Sequence, residues 1–325
     1  MSTLLRSCRG LASVAGVAVM ATACCGGWEE AAFVDLGVSE DLNALTITQR
    51  GSYLAAGGQG TVVHWGYDTR GVQELESWTL GEGVELHAVL DATSEQWWVV
   101  GEAGEAWMTS AQGDPWVAVE LDTSADLYAI AEYDERLFVV GDELVRVREA
   151  DGTWVEPEPP AAGWGQLRAV RGDALVGRVW AVGLEGRIVS VADDDPGGAW
   201  VEEASGTEAD LLALDRFLYE IGPSTYRMTA LGSDGTMVAR DDSSGDWSSV
   251  DSGVEADFIN ASLTATGELL NREYRDIGGW RFTSVDSLSG ARTAVDHTLM
   301  GSSRIVVVGE GGTAAVVTRI FCGKV

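Results

Sequence analysis

A short apolar run that ends in glycine recurs seven times along the chain, and this repeat limits the possible folds more than any other feature. Its mean period is about 42 residues, which is typical of repeat architectures. In five units a second glycine follows three residues later, as Gly60 follows Gly57. A G-x-x-G between two β-rich runs predicts a tight hairpin, because glycine adopts a positive φ without steric cost. The run-ending glycines are Gly57, Gly101, Gly141, Gly183, Gly232, Gly267 and Gly309.

Two further landmarks divide each unit into four predicted strands. In chain order we name these strands a, b, c and d. Strand a starts with a motif like L-x-A-V, and strand b ends in the run-ending glycine. Strand c follows the G-x-x-G, and strand d starts at a tryptophan. The motif begins at Leu42, Leu86, Leu127, Leu167, Leu211, Phe258 and Arg292, the last two being weaker matches. The landmark tryptophans are Trp28, Trp78, Trp116, Trp154, Trp200, Trp247 and Trp280.

Four strands in about 42 residues is the size of one blade of a β-propeller. The sequence therefore predicts an all-β fold, a seven-bladed β-propeller formed by residues 28–325 as a single domain. Trp28 starts a strand d with no strands a to c before it, and the last unit, residues 292–321, has no strand d. The N-terminal strand is thus expected to pair into the last blade, which removes the open sheet edges. The alternative is a β-sandwich or an open array with coincidental spacing.

The N-terminal residues have the pattern of an export signal. Two arginines precede a short apolar run, LASVAGVAVM at 11–20, which is too short to span a bilayer, and ATA at 21–23 then precedes Cys24. The segment resembles a bacterial lipoprotein signal. That resemblance implies a signal peptide over 1–23, a lipidated Cys24 with a short tether over 24–27, and an outer-membrane location on the periplasmic face or cell surface. The alternative is ordinary cleavage without lipidation.

The cysteine count favours the lipid and leaves one pair. Cys8 is removed with the signal, and lipid on Cys24 leaves Cys25 and Cys322, an even number in an oxidising compartment. Cys25 lies just before the first strand d, and Cys322 lies just after the last strand c. A Cys25–Cys322 disulfide would replace the hairpin turn that joins c to d in the other units. The alternative is that Cys25 stays in a mobile tether and never meets Cys322.

The charge balance excludes several classes of partner. The chain has 51 Asp and Glu against 21 Lys and Arg, a formal charge of −30 at pH 7. Nucleic-acid binding and docking on an anionic membrane by charge both require basic patches. Contact with a membrane is therefore expected only through the lipid. The expected partner is an envelope protein or a glycan, and the protein is expected to be a monomer.

The fourth unit, VWAVGLEGRIVSVADDDPGGAW at residues 179–200, resembles the repeats of the Ycf48-like and BNR-like families. Their pattern is roughly W-x-V-G-x-x-G-x-I-x-x-S-x-D-G-G-x-x-W, and fragments of it recur at 97–110 and 151–154. The resemblance implies a β-propeller. It implies a photosystem-assembly role only by name, and nothing in the sequence indicates photosynthesis. The matching residues are Trp180, Gly183, Gly186, Ile188, Ser190, Gly197, Gly198 and Trp200.

Motifs for catalysis, metal binding and cofactor binding are absent from the sequence. It contains no nucleophile elbow, P-loop, H-E-x-x-H helix or dinucleotide fingerprint. The three histidines, His64, His87 and His297, have no metal-ligand spacing. We therefore predict no catalytic residue, no metal site and no cofactor, and a non-enzymatic binding or scaffold role. The alternative is a glycan-processing propeller of sialidase-like or lyase type, with arginines and carboxylates in the central channel.

The tryptophans fall into two groups with different predicted roles. The seven landmark tryptophans recur once per unit, so we expect them to pack between blades rather than to serve as stacking platforms for a ligand. Those outside the pattern are instead candidates for an exposed binding surface. They are Trp65, Trp97, Trp107 and Trp164.

The candidate binding residues occupy the variable second position of L-x-A-V. In propellers strand a lines the central channel, so this position is expected near the channel entrance. In the first four units it is polar and holds Asn43, His87, Tyr128 and Arg168. In the other three units we assign it to Leu212, Ile259 and Thr293. Polar side chains on one half of a ring predict a polar pocket, unless these residues only satisfy one another between blades.

Overall fold

The computed structural model describes residues 28–319, apart from 69–70, 111–113, 193–197, 219–225, 242–243, 254, 261–262, 265–267, 272–280, 285–290 and 300–301. The described residues form β-strands joined by turns and loops, and none of their helices is long and apolar enough to cross a membrane. Their strands form seven antiparallel sheets of four strands each. The prediction of an all-β fold is confirmed.

The first strand, β1 (Trp28–Val34), stands apart from the sheet that follows it in the chain. Three sheets of consecutive strands come next. Sheet 1 contains β2 (Leu42–Ile47), β3 (Tyr53–Gly57), β4 (Thr61–Asp68) and β5 (Gly71–Thr79). Sheet 2 contains β6 (Leu86–Asp91), β7 (Trp97–Gly101), β8 (Ala106–Thr109) and β9 (Val117–Ala118). Sheet 3 contains β10 (Leu127–Tyr133), β11 (Arg136–Gly141), β12 (Leu144–Arg148) and β13 (Trp154–Val155).

Four more sheets complete the described structure. Sheet 4 contains β14 (Leu167–Asp173), β15 (Arg178–Gly183), β16 (Ile188–Ala192) and β17 (Val201–Glu203). Sheet 5 contains β18 (Leu211–Leu218), β19 (Tyr226–Gly232), β20 (Met237–Arg240) and β21 (Trp247–Ser249). Sheet 6 contains β22 (Phe258–Asn260), β23 (Leu263–Thr264), β24 (Glu268–Asn271) and β25 (Arg281–Ser284). Sheet 7 contains β26 (Ala291–Leu299), β27 (Ser302–Gly309), β28 (Ala314–Arg319) and, as its fourth strand, β1.

The N-terminal strand pairs with the last strand of the chain. β1 is antiparallel to β28, with Ala31 opposite Val317. The first strand of each sheet contacts the first strand of the next sheet, and β26 of sheet 7 contacts β2 of sheet 1. The first and last described strands therefore pair in one sheet, and that sheet lies beside sheet 1.

The G-x-x-G turn requires its two glycines for different reasons. Gly183 has an extended backbone with φ −164°, and a Cβ there would lie 1.9 Å from the backbone oxygen of Gln166, the residue just before β14. Gly186 has φ 68°, and a Cβ there would lie 2.0 Å from the backbone oxygen of Thr207. The expected positive φ thus applies to the second glycine. The first is required because a neighbouring backbone approaches too closely for any side chain.

The hydrophobic core lies between neighbouring sheets. In one cluster Phe138 and Val140 of sheet 3 pack with Leu167 and Val179 of sheet 4. Trp200 belongs to this cluster and is 2% exposed. Similar clusters join sheet 1 to sheet 2, sheet 2 to sheet 3, sheet 4 to sheet 5 and sheet 7 to sheet 1. Five of the landmark tryptophans are buried or half-buried against such clusters, as predicted: Trp78, Trp116, Trp154, Trp200 and Trp247.

The proposal that the other tryptophans form an exposed surface is wrong for three of the four. Trp65, Trp97 and Trp164 are buried. Trp65 and Trp97 lie on β4 and β7, where a sheet on either side covers the strand, and Trp164 packs edge-on against Trp200 at 5.5 Å between ring centroids. Trp107 is half-buried, and its indole N–H donates to Glu105 Oε2 at 2.9 Å.

Three landmarks were placed in the wrong register. In sheet 6 Phe258 pairs with Thr264, so the predicted end of strand b at Gly267, which lies outside the described residues, was three residues too late. Trp78 lies near the end of its strand d, opposite Val62, because the β4–β5 hairpin is long. In the last sheet Ala291 pairs with Gly309, as Leu42 pairs with Gly57 in the first. The second position of the motif in sheet 7 is therefore Arg292, and our assignment of Thr293 was wrong by one residue.

Candidate functional site

Three of the four candidate residues stack in one row across neighbouring sheets. The rings of His87 on β6 and Tyr128 on β10 have centroids 5.2 Å apart, with their planes tilted by 33°. The guanidinium carbon of Arg168 on β14 lies 3.6 Å from the centroid of the Tyr128 ring, which is a close cation–π contact. The order of the stack is the order of the sheets. The three side chains therefore contact one another across neighbouring sheets, and their role in a binding pocket stays a prediction.

Asn43 joins the row through the residues just before His87. Its side-chain amide donates to Glu85 Oε2 at 2.8 Å and to the backbone oxygen of Leu86 at 3.2 Å. We name the four residues Asn43, His87, Tyr128 and Arg168 the polar row. All four are half-buried, so each keeps part of its surface open to solvent.

A β-bulge explains why the second position of strand a points away from its own ladder. In sheet 2 the pairing register with β7 shifts between Leu86 and Ala88, so His87 is the unpaired extra residue. The same shift occurs between the first and third motif residues in all seven sheets. A bulge bends the strand and redirects one side chain. The L-x-A spacing is the sequence signal of this bulge.

Carboxylates lie around the polar row, and their charges affect the pKa values of His87 and Tyr128. Burial lowers the pKa of His87 below its ordinary value of 6.5, although Glu102, Asp126 and Glu85 oppose the shift. Burial raises the pKa of Tyr128, whose hydroxyl donates to Asp142 Oδ2 at 3.3 Å. At neutral pH the row therefore presents a neutral imidazole, a neutral phenol and one guanidinium.

The residue just before strand a has a role that the sequence analysis missed. Asp210, which precedes β18, accepts a hydrogen bond from the amide of Glu185 in the G-x-x-G turn of the previous sheet, at 3.0 Å. The same contact recurs from Ala103 to Asp126, from Asp234 to Asp257 and from Gly311 to Asp41, at 2.7–2.9 Å. We name these aspartates the turn aspartates. An acidic residue before L-x-A-V was the available signal.

Other predicted site residues lie partly or wholly outside the described structure. Leu212 is half-buried at the second position in sheet 5. Cys24, Cys25 and Cys322 lie outside the described residues, so the lipid anchor and the disulfide stay predictions. Within the described residues no group of histidine, cysteine or carboxylate side chains could hold a metal ion.

Comparisons with known proteins identify the fold. No protein-family model matches the sequence, and no curated protein matches it either. Among solved structures, the WD40 β-propeller domain of Doa1 is similar at 12% identity, with a TM-score of 0.63 over 88% of this chain and 95% of that one. YCF48 bound to D1 peptide is similar at 14% identity, with a TM-score of 0.63 over 94% of this chain and 100% of that one. Sqt1 from Chaetomium thermophilum is similar at 16% identity, with a TM-score of 0.62 over 85% and 81%. The protein therefore has a β-propeller fold.

Proposed function

We propose that the seven sheets are the blades of one closed propeller, with β1 completing the last blade. The pairing of β1 with β28 supports this, as does the contact between β2 and β26. The Gly311 amide also donates to Asp41 Oδ1 at 2.8 Å, which joins sheet 7 to the start of sheet 1. A Cys25–Cys322 disulfide would reinforce the same junction. Thiol counting on the denatured, unreduced mature protein should find no free cysteine, and two free thiols would contradict the bridge.

We propose further that the protein is a non-enzymatic binding module of the bacterial envelope whose partner binds at the polar row. The single observation that carries this proposal is the stack of His87, Tyr128 and Arg168, three half-buried side chains from three sheets. Tyrosine and arginine are enriched where proteins bind one another, because they offer a large contact area together with hydrogen bonds. The similar fold of YCF48, whose structure contains a bound D1 peptide, supports a protein segment as the partner. A glycan is the second class of partner.

The carboxylates around the row define the charge of that partner. Glu85, Glu102, Asp126 and Asp142 lie close to the row, and the whole chain carries a formal charge of −30. A partner segment with basic side chains beside a polar or aromatic centre would match this pattern. Such charges raise the association rate and select against acidic partners.

One observation favours the alternative of a glycan-processing enzyme. Tyr128 contacts both Asp142 and Arg168, and a tyrosine assisted by a carboxylate can serve as a nucleophile. Burial raises the pKa of Tyr128, however, which disfavours the phenolate form that would act as the nucleophile. We therefore favour binding.

Photo-crosslinking in the native cell envelope tests the binding proposal. Benzoylphenylalanine at position 128 keeps an aromatic side chain in the row, and the same residue at Val201, which is exposed on an outer strand, serves as the matched control. We expect a crosslinked partner from position 128, a yield at least tenfold lower from position 201, and loss of the product on adding Arg168→Ala. Equal yields from both positions would contradict the site. Glycan cleavage that Tyr128→Phe abolishes would favour the enzyme.

We propose that lipid on Cys24 tethers the protein to the membrane, with the outer membrane as the location. The lipobox-like segment before Cys24 supports this proposal. The wild-type protein should partition into detergent, and Cys24→Ser should release it into the soluble fraction. A Cys24→Ser protein that stays equally membrane-bound would overturn the anchor and leave the binding site untouched.

A further inference from the structure

A polar cavity lies between sheets 1 and 2, at the strand ends opposite the polar row. Its volume is about 370 Å³. The turn between β2 and β3, residues 48–52, forms one wall, and Asp91 and Glu95 around the turn between β6 and β7 form another. Gly66 and Glu74 of the β4–β5 hairpin form a third. The cavity is thus built from three turns of unlike sequence.

Hydrogen bonds between the two sheets hold these walls in place. The backbone N–H of Gln49 donates to Asp91 Oδ2, and the Gln49 side-chain amide donates to the backbone oxygen of Ala92 at 2.7 Å. The indole of Trp97 also donates to the Asp91 carboxyl. The cavity is therefore preformed.

The floor of the cavity contains a buried histidine with unused hydrogen-bonding capacity. His64 is 1% exposed, and its Nε2 is hydrogen-bonded to Ser52 Oγ at 2.7 Å. Its ring lies 4.8 Å from the ring of Trp97, which is also buried. Its Nδ1 has no hydrogen-bond partner among the described residues, and Glu76 Oε2 lies 3.9 Å away. The rings of His64 and Trp97 thus form the floor, and the Nδ1 atom of His64 faces Glu76.

The charge of the lining is strongly negative. The cavity is lined by three carboxylates, those of Glu74, Asp91 and Glu95, and by one guanidinium, that of Arg50. Within the described part of the chain none of these three carboxylates forms an ion pair. Burial raises the pKa of Asp91, although its hydrogen bonds from Gln49 and Trp97 and the charge of Arg50 oppose the shift.

The distribution of these carboxylates indicates the kind of cation that fits. No set of described carboxylates and histidines is arranged to hold a metal ion. Carboxylates on different walls of one cavity can instead pair with several charges on one flexible molecule. The rings of Trp97 and His64 offer an apolar floor for a hydrocarbon chain between those charges.

The β4–β5 hairpin makes this cavity specific to sheet 1. β4 and β5 have eight and nine residues, whereas β8 and β9 in sheet 2 have four and two. Gly66 and Glu74 lie in the additional length. A four-stranded sheet of the repeat forms without this extension, as the short strands β8 and β9 of sheet 2 show.

We propose that the cavity binds a small aliphatic polyamine, with its ammonium groups paired to Glu74, Asp91 and Glu95 and its methylene chain on Trp97 and His64. The site lies apart from the polar row and does not depend on the proposed partner. Binding would be preorganised, because the walls are already tied together by Gln49.

Isothermal titration of the mature protein with spermidine tests the proposal. We expect saturable binding of one molecule per chain, and at least a tenfold loss of affinity in Glu74→Gln/Glu95→Gln, whose exposed side chains can change without unfolding the protein. The control Glu120→Gln/Glu158→Gln removes the same charge from exposed positions elsewhere and should lose less than twofold.

Three results would overturn the proposal. Equal losses in both double variants would mean that spermidine only condenses on an acidic surface. Equal affinity for an uncharged diol of the same length would exclude ion pairing. Equal affinity for N-acetyl-lysine amide would replace the polyamine by a single ammonium group, such as a lysine of a partner protein. In the supported case, spermidine also shifts the ring resonances of His64, and the control variant retains that shift.

Discussion

At the end of the sheets where strand a begins, the sheets use nearly the same contacts, whereas at the other end sheet 1 differs from its neighbours. At the first end the G-x-x-G glycines and the turn aspartates repeat around the structure, and mainly the bulge residue of strand a varies. At the second end the long β4–β5 hairpin creates a cavity. Repeated contacts hold sheets together, and departures from the repeat are where a binding site can form.

The largest expected effect on stability comes from substituting a glycine at the end where strand a begins, and a glycine at the other end serves for comparison. Gly183→Ala should lower the free energy of unfolding by about 3 kcal/mol, because the added Cβ would lie 1.9 Å from the backbone oxygen of Gln166. Gly66→Ala is the control, since its Cβ would only reach ordinary contacts at 3.5 Å. Urea denaturation of both variants measures the difference. Equal stability of the two would mean that the repeated end is not tightly packed.

A smaller effect is expected from the turn aspartates. Asp210→Ala removes the acceptor for the amide of Glu185 and should lower the free energy of unfolding by about 1.5 kcal/mol. Asp251→Ala removes an exposed contact within one loop, to the amide of Gly253, and should cost less than about 0.5 kcal/mol. Denaturation curves for both variants test whether contacts between sheets matter more than those within a loop.

The smallest effect concerns one histidine at each end. Burial lowers the pKa of both His64 and His87 below 6.5, so the unfolded chain binds more protons at these rings than the folded protein. The two histidines therefore stabilise the folded protein fully above pH 6.5. The free energy of unfolding falls as the pH drops below 6.5. Denaturation at pH 7.5 and pH 5.5 measures the loss, which His64→Gln and His87→Gln should each reduce. A loss that neither substitution reduces would show that other groups cause it.

The sequence predicted the strands well because each landmark has a direct structural cause. Strand a begins at Leu42, Leu86 and Leu127 as expected, since the leucine is buried and the following residue forms the bulge. The assignment of Thr293 failed because Ala and Val were matched by identity, whereas the bulge position is determined by pairing with Gly309. A sequence pattern thus locates a strand correctly where a single structural reason determines the residue type at each landmark.

The candidate sites were predictable to different extents. The polar row could be found because its members share one position in a repeat. The cavity on His64 could not, because its walls come from three turns with no common motif and a hairpin of unusual length. The buried state of Trp97 was also invisible, since a sheet on each side of the strand covers it only after the blades are assembled.

The pairing of β1 with β28 affects the order in which the sheets of this protein can fold. β1 is among the first segments of the folded domain to leave the ribosome and β28 is among the last, so sheet 7 cannot form during synthesis of the intervening strands. Contacts between residues so far apart in the chain also form slowly, because closing a long loop costs entropy. Formation of sheet 7 is therefore expected to be a late and slow step in the folding of this protein.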